Sequence, residues 1–152
     1  MPLQSIKFKY RRFFSGPTQA FPNRHSILVS LIPVNIMNRD NPELRSPVFG
    51  ALIDSGADCS IFPAELGEII GLTIQNDRLQ PFAGIGGHPF DAYLHDIILD
   101  VGGWRFATHA CFALEGIKAP VLGQSGFFNL FEVKMDYSKE VIELKPRVQP
   151  LR

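Results

Sequence analysis

Apolar and polar residues along this chain alternate or fall into short blocks, and few of those blocks have helical spacing. Ile6, Phe8 and Tyr10 alternate with Lys7, Lys9 and Arg11, a period of two that predicts a half-buried strand with a basic outer face. Basic side chains on such a face discourage edge pairing with other chains. Residues 15–25 hold Gly16, Pro17, Pro22 and Asn23 and predict a loop. Ser26 to Ile36 is rich in Ile, Leu and Val and predicts a core strand, which Pro33 turns toward an edge or a bulge. Asn38 to Pro47 is turn or loop, and Val48 to Ile53 is the next strand. Pro63 to Ile70 has proline at its start, acid in its first turn and Gly71 as a stop, which predicts a short helix.

Leu72 to Phe82 returns to a strand pattern. It leads into Ala83 to Phe90, where Gly84, Gly86 and Gly87 predict a hairpin tip with Phe82 and Phe90 as apolar shoulders. No Gly-Lys-Ser/Thr follows and the next elements are strands, so a phosphate-cradling loop is rejected. Tyr93 to Val101 puts Ile97, Leu99 and Val101 on one face and Asp96 and Asp100 on the other, with Ile98 breaking the alternation. Gly102-Gly103 then turns the chain into Trp104 to Phe112. Pro120 to Gly123 is a short apolar strand. Gln124 to Phe131 predicts a helix whose Phe127, Phe128 and Phe131 face the core, and Glu132 to Tyr137 with Glu140 to Lys145 makes a last hairpin around Ser138-Lys139.

The chain has 152 residues, enough for one compact domain that buries roughly 70% of its unfolded surface. Fifteen basic residues balance fifteen acidic ones, so no overall field favours nucleic acid or an anionic membrane. Lys7 to Arg12 is a short basic stripe with interleaved aromatics, a weaker nucleic-acid reading. Ile27 to Met37 is the most apolar window, but Ser30, Pro33 and Asn35 interrupt it and it falls well short of the ~20 residues of a membrane span. Met1 to Phe14 has no continuous apolar segment of a secretory signal, and a cytoplasmic protein is expected. Cys59 and Cys111 are too few for a disulfide scaffold and read as two buried small hydrophobes. His95, Asp96, His109 and Cys111 fall on the two strands of the Gly102-Gly103 hairpin, where they could meet and suggest a metal, but they match no metal spacing, so neither metal nor cofactor is expected.

The candidate chemistry lies in Ala51-Leu52-Ile53-Asp54-Ser55-Gly56-Ala57-Asp58, an apolar run that stops at a carboxylate, a hydroxyl and a glycine. Asp-Ser-Gly alone is ordinary turn chemistry. In its setting, the stretch resembles the active-site loop of retropepsin-like aspartic proteases: apolar residues, then Asp, Ser or Thr, Gly and Ala, commonly with a second Asp. Gly84, Ile85, Gly86 and Gly87 resemble that family's flap tip. Val121-Leu122-Gly123 resembles the inner strand that crosses near the catalytic loop. The resemblance runs from about Ser26 to Lys145. It implies a mostly β, retropepsin-like acid-protease barrel, one lobe per chain, with one or two short helices and a flap hairpin. Residues 26–145 are then the protease domain, 1–25 an N-terminal strand and loop at an edge or dimer interface, and 146–152 a C-terminal tail.

The same resemblance implies an aspartic endopeptidase acting on a protein or peptide substrate. Such chemistry needs two carboxylates sharing a proton, and Asp54 alone among the aspartates precedes Ser/Thr-Gly at a strand end, so a homodimer is implied. Asp54 is the expected catalytic residue. Ser55 would lock two loops together, Gly56 admit substrate backbone, and Asp58 hold substrate main chain or brace the loop. Ala57 stands where pepsin-like relatives carry a hydroxyl, which implies a less acidic optimum than pepsin's. Ile53, Ile85, Phe90 and Val121 would give apolar subsites. Retroviral members pair the second Asp with an Arg after the glycine; here Gln124 and Ser125 take those places, leaving the partner of Asp58 open. The alternative is a catalytically silent dimerisation or peptide-binding module on the same fold.

Overall fold

The period-two patterning becomes β-structure through about half of the chain, with 49% strand and 6% helix. The structure, a computed structural model, describes residues 4–83 and 87–152. In chain order the strands are β1 (Ile6–Lys9), β2 (Arg11–Phe14), β3 (Ser26–Val29), β4 (Leu31–Asn38), β5 (Phe49–Ile53) and β6 (Ile61–Pro63). Helix α1 (Ala64–Ile69) and a 3-10 turn at Ile74–Asn76 precede β7 (Arg78–Phe82), β8 (Phe90–Val101), β9 (Trp104–Ala113), β10 (Val121–Leu122), β11 (Phe131–Asp136) and β12 (Val141–Pro146).

Six strands close into a barrel in the order β4-β5-β10-β6-β9-β8, with β8 returning to β4. Closure depends on two strands that change partners along their length. The first half of β4 pairs with β5 and its second half with β8; the first half of β8 pairs with β7 and its second half with β4. Pro33 pairs opposite Gly50 just before the β8 contacts begin at Val34. There its missing N–H removes no ladder bond on the open side, which satisfies the edge expectation. A separate sheet, β1-β12-β11, covers one end of the core: Ile142 and Leu144 are fully buried opposite Phe8 and Ile6. The alternation of β1 is therefore a real half-buried face.

Gly71 (φ +83°) ends α1, with the Gly71 and Leu72 N–H groups donating to Glu68 O and Gly67 O, a C-terminal closure that a left-handed residue permits. Gly102 and Gly103 both have positive φ, as the tight turn between right-twisted strands demands.

Three expected elements differ. Ser26 to Ile36 is not one strand but two, because Ser30 leaves the ladder: its carbonyl accepts Ile53 N–H at 2.9 Å and its hydroxyl donates to Ile53 O at 3.0 Å. Leu72 to Phe82 begins as a 3-10 turn around buried Ile74, whose carbonyl lies 2.7 Å from His95 Nε2. Gln124 to Phe131 forms successive turns rather than a helix. Gly126 takes φ +108° and donates its N–H to Asn129 Oδ1 at 2.7 Å, while Phe128 and Asn129 N–H reach carbonyls five residues back. The side chain and the left-handed residue divert the backbone bonds that a helix needs.

Phe112 joins the layers of the core. It is fully buried, meets Phe62 and His95 edge to face at 5.9 and 5.7 Å, and lies under Gly67 of α1, where an added Cβ would come within 2.8 Å of its ring. Phe112→Ala is expected to lower unfolding free energy by about 3–5 kcal/mol, whereas Phe14→Ala, at 99% exposed, should change it by less than ~0.5 kcal/mol. Urea denaturation followed by circular dichroism measures both.

Candidate active site

The loop after β5 is shaped by the strand that passes through it. Leu52 N–H donates to Pro120 O at 2.9 Å and Asp54 N–H to Leu122 O at 3.0 Å, so β10 runs parallel beside β5. The chain then turns through residues 54–60 and returns as β6 on the other side of β10. Where β10 leaves this fork, Gly123 passes so close that an added Cβ would lie 2.4 Å from Cys59 O and 2.8 Å from Ala57 O. Only hydrogen fits there.

Further backbone bonds stitch the fork on that far side. Gln124 N–H donates to Ala57 O and Ser125 N–H to Asp58 O, both at 2.8 Å, and Ser60 N–H donates to Ser125 O at 2.9 Å. The buried Ser60 hydroxyl accepts Gly123 N–H at 3.1 Å, and the Gln124 side-chain amide donates to Ser55 O at 2.8 Å. The polar residue after Gly123 thus braces the loop through Ser55 rather than through Asp58.

Asp54 sits half-buried at the end of β5. Its Oδ1 accepts the Gly56 N–H at 2.8 Å and its carbonyl accepts Ala57 N–H at 3.2 Å, a side-chain turn that fixes the carboxylate's orientation. Among the described residues Oδ2 has no hydrogen-bond partner. Ser55 and Gly56 are exposed and Ala57 is half-buried. Asp58 is exposed at a cavity of about 370 Å³ whose walls include Cys59, Phe82, Leu94, His109 and Ser125. It forms no ion pair among the described residues. His109 Nε2 lies 2.6 Å from Ser125 Oγ at the same cavity.

Val121 is half-buried, in register with Leu52 and Ile61. Phe90 stacks on Phe82 at 5.5 Å and 17° where the β7–β8 hairpin leaves the sheet. Gly87 is exposed; Gly84, Ile85 and Gly86 lie outside the described residues. Ile53 is corrected: at 4% exposure its side chain belongs to the barrel core, because strand alternation turns it inward and Leu52 outward, so it lines no surface subsite. His95 lies on the opposite face of the β8–β9 hairpin from His109 and Cys111, since Asp96 rather than His95 is in register with His109. The quartet therefore does not converge. Among the described residues no three His, Cys, Asp or Glu side chains form a metal-holding group, and no helix is long and apolar enough to cross a membrane.

The bracing roles of Ser30 and Ser60 escaped sequence reasoning, and Gln124 stood out only as the residue where retroviral members carry Arg. Ser60 carried a local signal, a hydroxyl set between Cys59 and Ile61-Phe62 in an apolar run; Ser30 depends on a contact distant in sequence.

No protein-family model and no curated protein matches the chain. Among solved structures it is similar to a retropepsin-like aspartic protease from Rickettsia conorii, at 11% sequence identity and a TM-score of 0.55, with 96% of each chain covered. EIAV protease complexed with the inhibitor HBY-793 is also similar, at 19% identity and a TM-score of 0.43, over 63% of this chain and 82% of that one. The likeness to the Rickettsia protein is one of fold: this chain has a retropepsin-like fold.

Gly123→Ala is expected to destabilise the fold by about 1–3 kcal/mol and to raise amide exchange across residues 54–60. Gly16→Ala, with nothing within 4 Å of the new methyl group, should do neither. Thermal denaturation and hydrogen-exchange mass spectrometry read the two effects.

Proposed function

We propose that the chain is an aspartic endopeptidase that works as a homodimer, with Asp54 of two copies forming one catalytic pair. The observation that carries this reading is the Asp54 carboxylate itself, with one oxygen held by the Gly56 N–H and the other without a hydrogen-bond partner among the described residues, at the end of a strand crossing in a retropepsin-like fold. The Rickettsia neighbour is an aspartic protease by name, which agrees with it. One such carboxylate per chain makes a two-fold partner a chemical requirement.

In the pair, the ionised carboxylate takes a proton from water while the protonated one gives its proton to the scissile carbonyl oxygen. The water oxygen bonds to the carbonyl carbon as the C=O π bond opens, giving a tetrahedral diol. The newly protonated carboxyl then gives its proton to the amide nitrogen, the other carboxylate takes one from a diol hydroxyl, the C–N bond breaks to an acid and an amine, and the pair regains its one shared proton. Because both protonation states are needed together, the rate is bell-shaped in pH.

In this reading Ser55 locks the two loops to each other and Gly56 leaves room for substrate backbone. Asp58 holds the main chain of an extended protein or peptide substrate. Gly84, Ile85, Gly86 and Gly87 close over it as a flap and exclude water. Phe90 and Val121 give the subsites an apolar character. A cytoplasmic setting, without metal, cofactor, nucleic acid or membrane, belongs to the same proposal.

Digestion of a peptide library by wild type and Asp54→Asn tests it. Cleavage is expected to fall by on the order of 10⁴-fold in the variant, with both proteins sedimenting as dimers in the presence of a peptide-like inhibitor. Turnover by Asp54→Asn, or an active monomer, overturns the mechanism. A folded wild-type dimer that binds peptides without cleaving any favours the silent binding module.

A further inference from the structure

Cys59 and Cys111 are 52 positions apart in sequence, yet their sulfurs stand 3.4 Å from each other in hydrogen-bond contact. Cys59 belongs to the fork after Asp54, and Cys111 lies in β9. The backbone holds them in place: Cys111 N–H donates to Ser60 O at 2.8 Å, and Ile61 is in parallel register with Cys111. Both side chains are buried, at 9% and 1% exposure, in a small cluster with Ile61, Ala92 and Ala113. Two thiols serving only as apolar filler need not touch one another or meet solvent. These touch, and each also lines the cavity beside Asp58.

We propose that Cys59 and Cys111 form an oxidisable dithiol, a modification site for small peroxides, whose disulfide ties the Asp54–Ser60 loop to β9. A disulfide needs sulfurs ~2.05 Å apart, so an approach of about 1.4 Å from the thiol separation is required. Cys111 is anchored within the long β8–β9 ladder, so the displacement falls on the Cys59 side, next to Asp58.

Exposure assigns the order of events. Cys59 is the more exposed sulfur, at 9% against 1% for Cys111, so it is the one that a peroxide reaches first. The contact with Cys111 also lowers the Cys59 pKa from the usual thiol value, against burial and the charge of Asp58, which favours the thiolate at Cys59. Its thiolate attacks one peroxide oxygen, the O–O bond breaks, and hydroxide leaves and takes up a proton, giving a sulfenic acid at Cys59. Cys111 then gives up its proton as its sulfur attacks that of Cys59; the S–O bond breaks and water leaves. In sum, two thiols and hydrogen peroxide give one disulfide and two waters, with two electrons passing from sulfur to peroxide.

The test treats the full chain with hydrogen peroxide, maps its peptides by mass spectrometry and then adds dithiothreitol. The expected result is loss of two hydrogens, a linked Cys59–Cys111 peptide, and a melting temperature higher by several degrees, all reversed by the reductant. In Cys111→Ser the reaction should stop at a Cys59 sulfenic acid that dimedone captures. Thiols that stay reduced, or sulfinic and sulfonic products without the cross-link, overturn the proposal. A cross-linked protein with an unchanged melting temperature overturns the tie to the loop. The wild-type mapping needs neither a variant nor turnover, so loss of the peptidase reading would leave this result standing.

Discussion

The backbone of Gly123 passes so close to the carbonyls of Ala57 and Cys59 that an added Cβ would lie 2.8 and 2.4 Å from them. A side chain at that point would push β10 out of the fork formed by β5 and β6, and both strands depend on β10 for hydrogen bonds. The barrel closes through this same strand. The position of Asp54 and the integrity of the fold therefore rest on one contact in which there is space for hydrogen and nothing more.

Around the crossing, polar groups are spent on backbone rather than on one another. Ser30, Ser60 and Gln124 each satisfy a main-chain group that the turn after β5 would otherwise leave unpaired. Thr108 does the same for Gly126 O. Buried or half-buried amides and carbonyls must find partners, and these four supply them without adding charge near Asp54. The carboxylate is thus oriented by a single local N–H, and among the described residues its second oxygen has no hydrogen-bond partner. Beneath the loop, Ile53 and Leu122 anchor both strands in the core, which limits how far the loop can drift.

The two cysteines have a second meaning in this setting. As small apolar side chains they fill space beside the fork, and as neighbouring sulfurs they join it to β9. Composition supports the first role, and proximity alone reveals the second. The same holds for His109 and Ser125, which lie 16 residues apart and meet at the cavity wall.

Much of the architecture was legible in local sequence because its causes are local. Alternation marked β1 and β8, Gly102-Gly103 marked the turn from β8 into β9, and Gly71 marked the end of α1; each reports a backbone conformation or a face that neighbouring residues decide. Asp54 at the end of an apolar run was legible for the same reason. The failures have a common origin. Gly126 and Asn129 override the helical spacing of Phe127, Phe128 and Phe131 by redirecting backbone bonds, and Ser30 breaks a continuous apolar run because Ile53 supplies better partners. Ile53 reads as a site residue until strand alternation is placed on a closed barrel, whose interior claims it. Sequence by itself determined which residues prefer strands, turns and a carboxylate-bearing loop. Tertiary structure alone decided which strand passes through that loop, what braces it and which sulfurs meet, because those outcomes depend on packing between segments tens of residues apart.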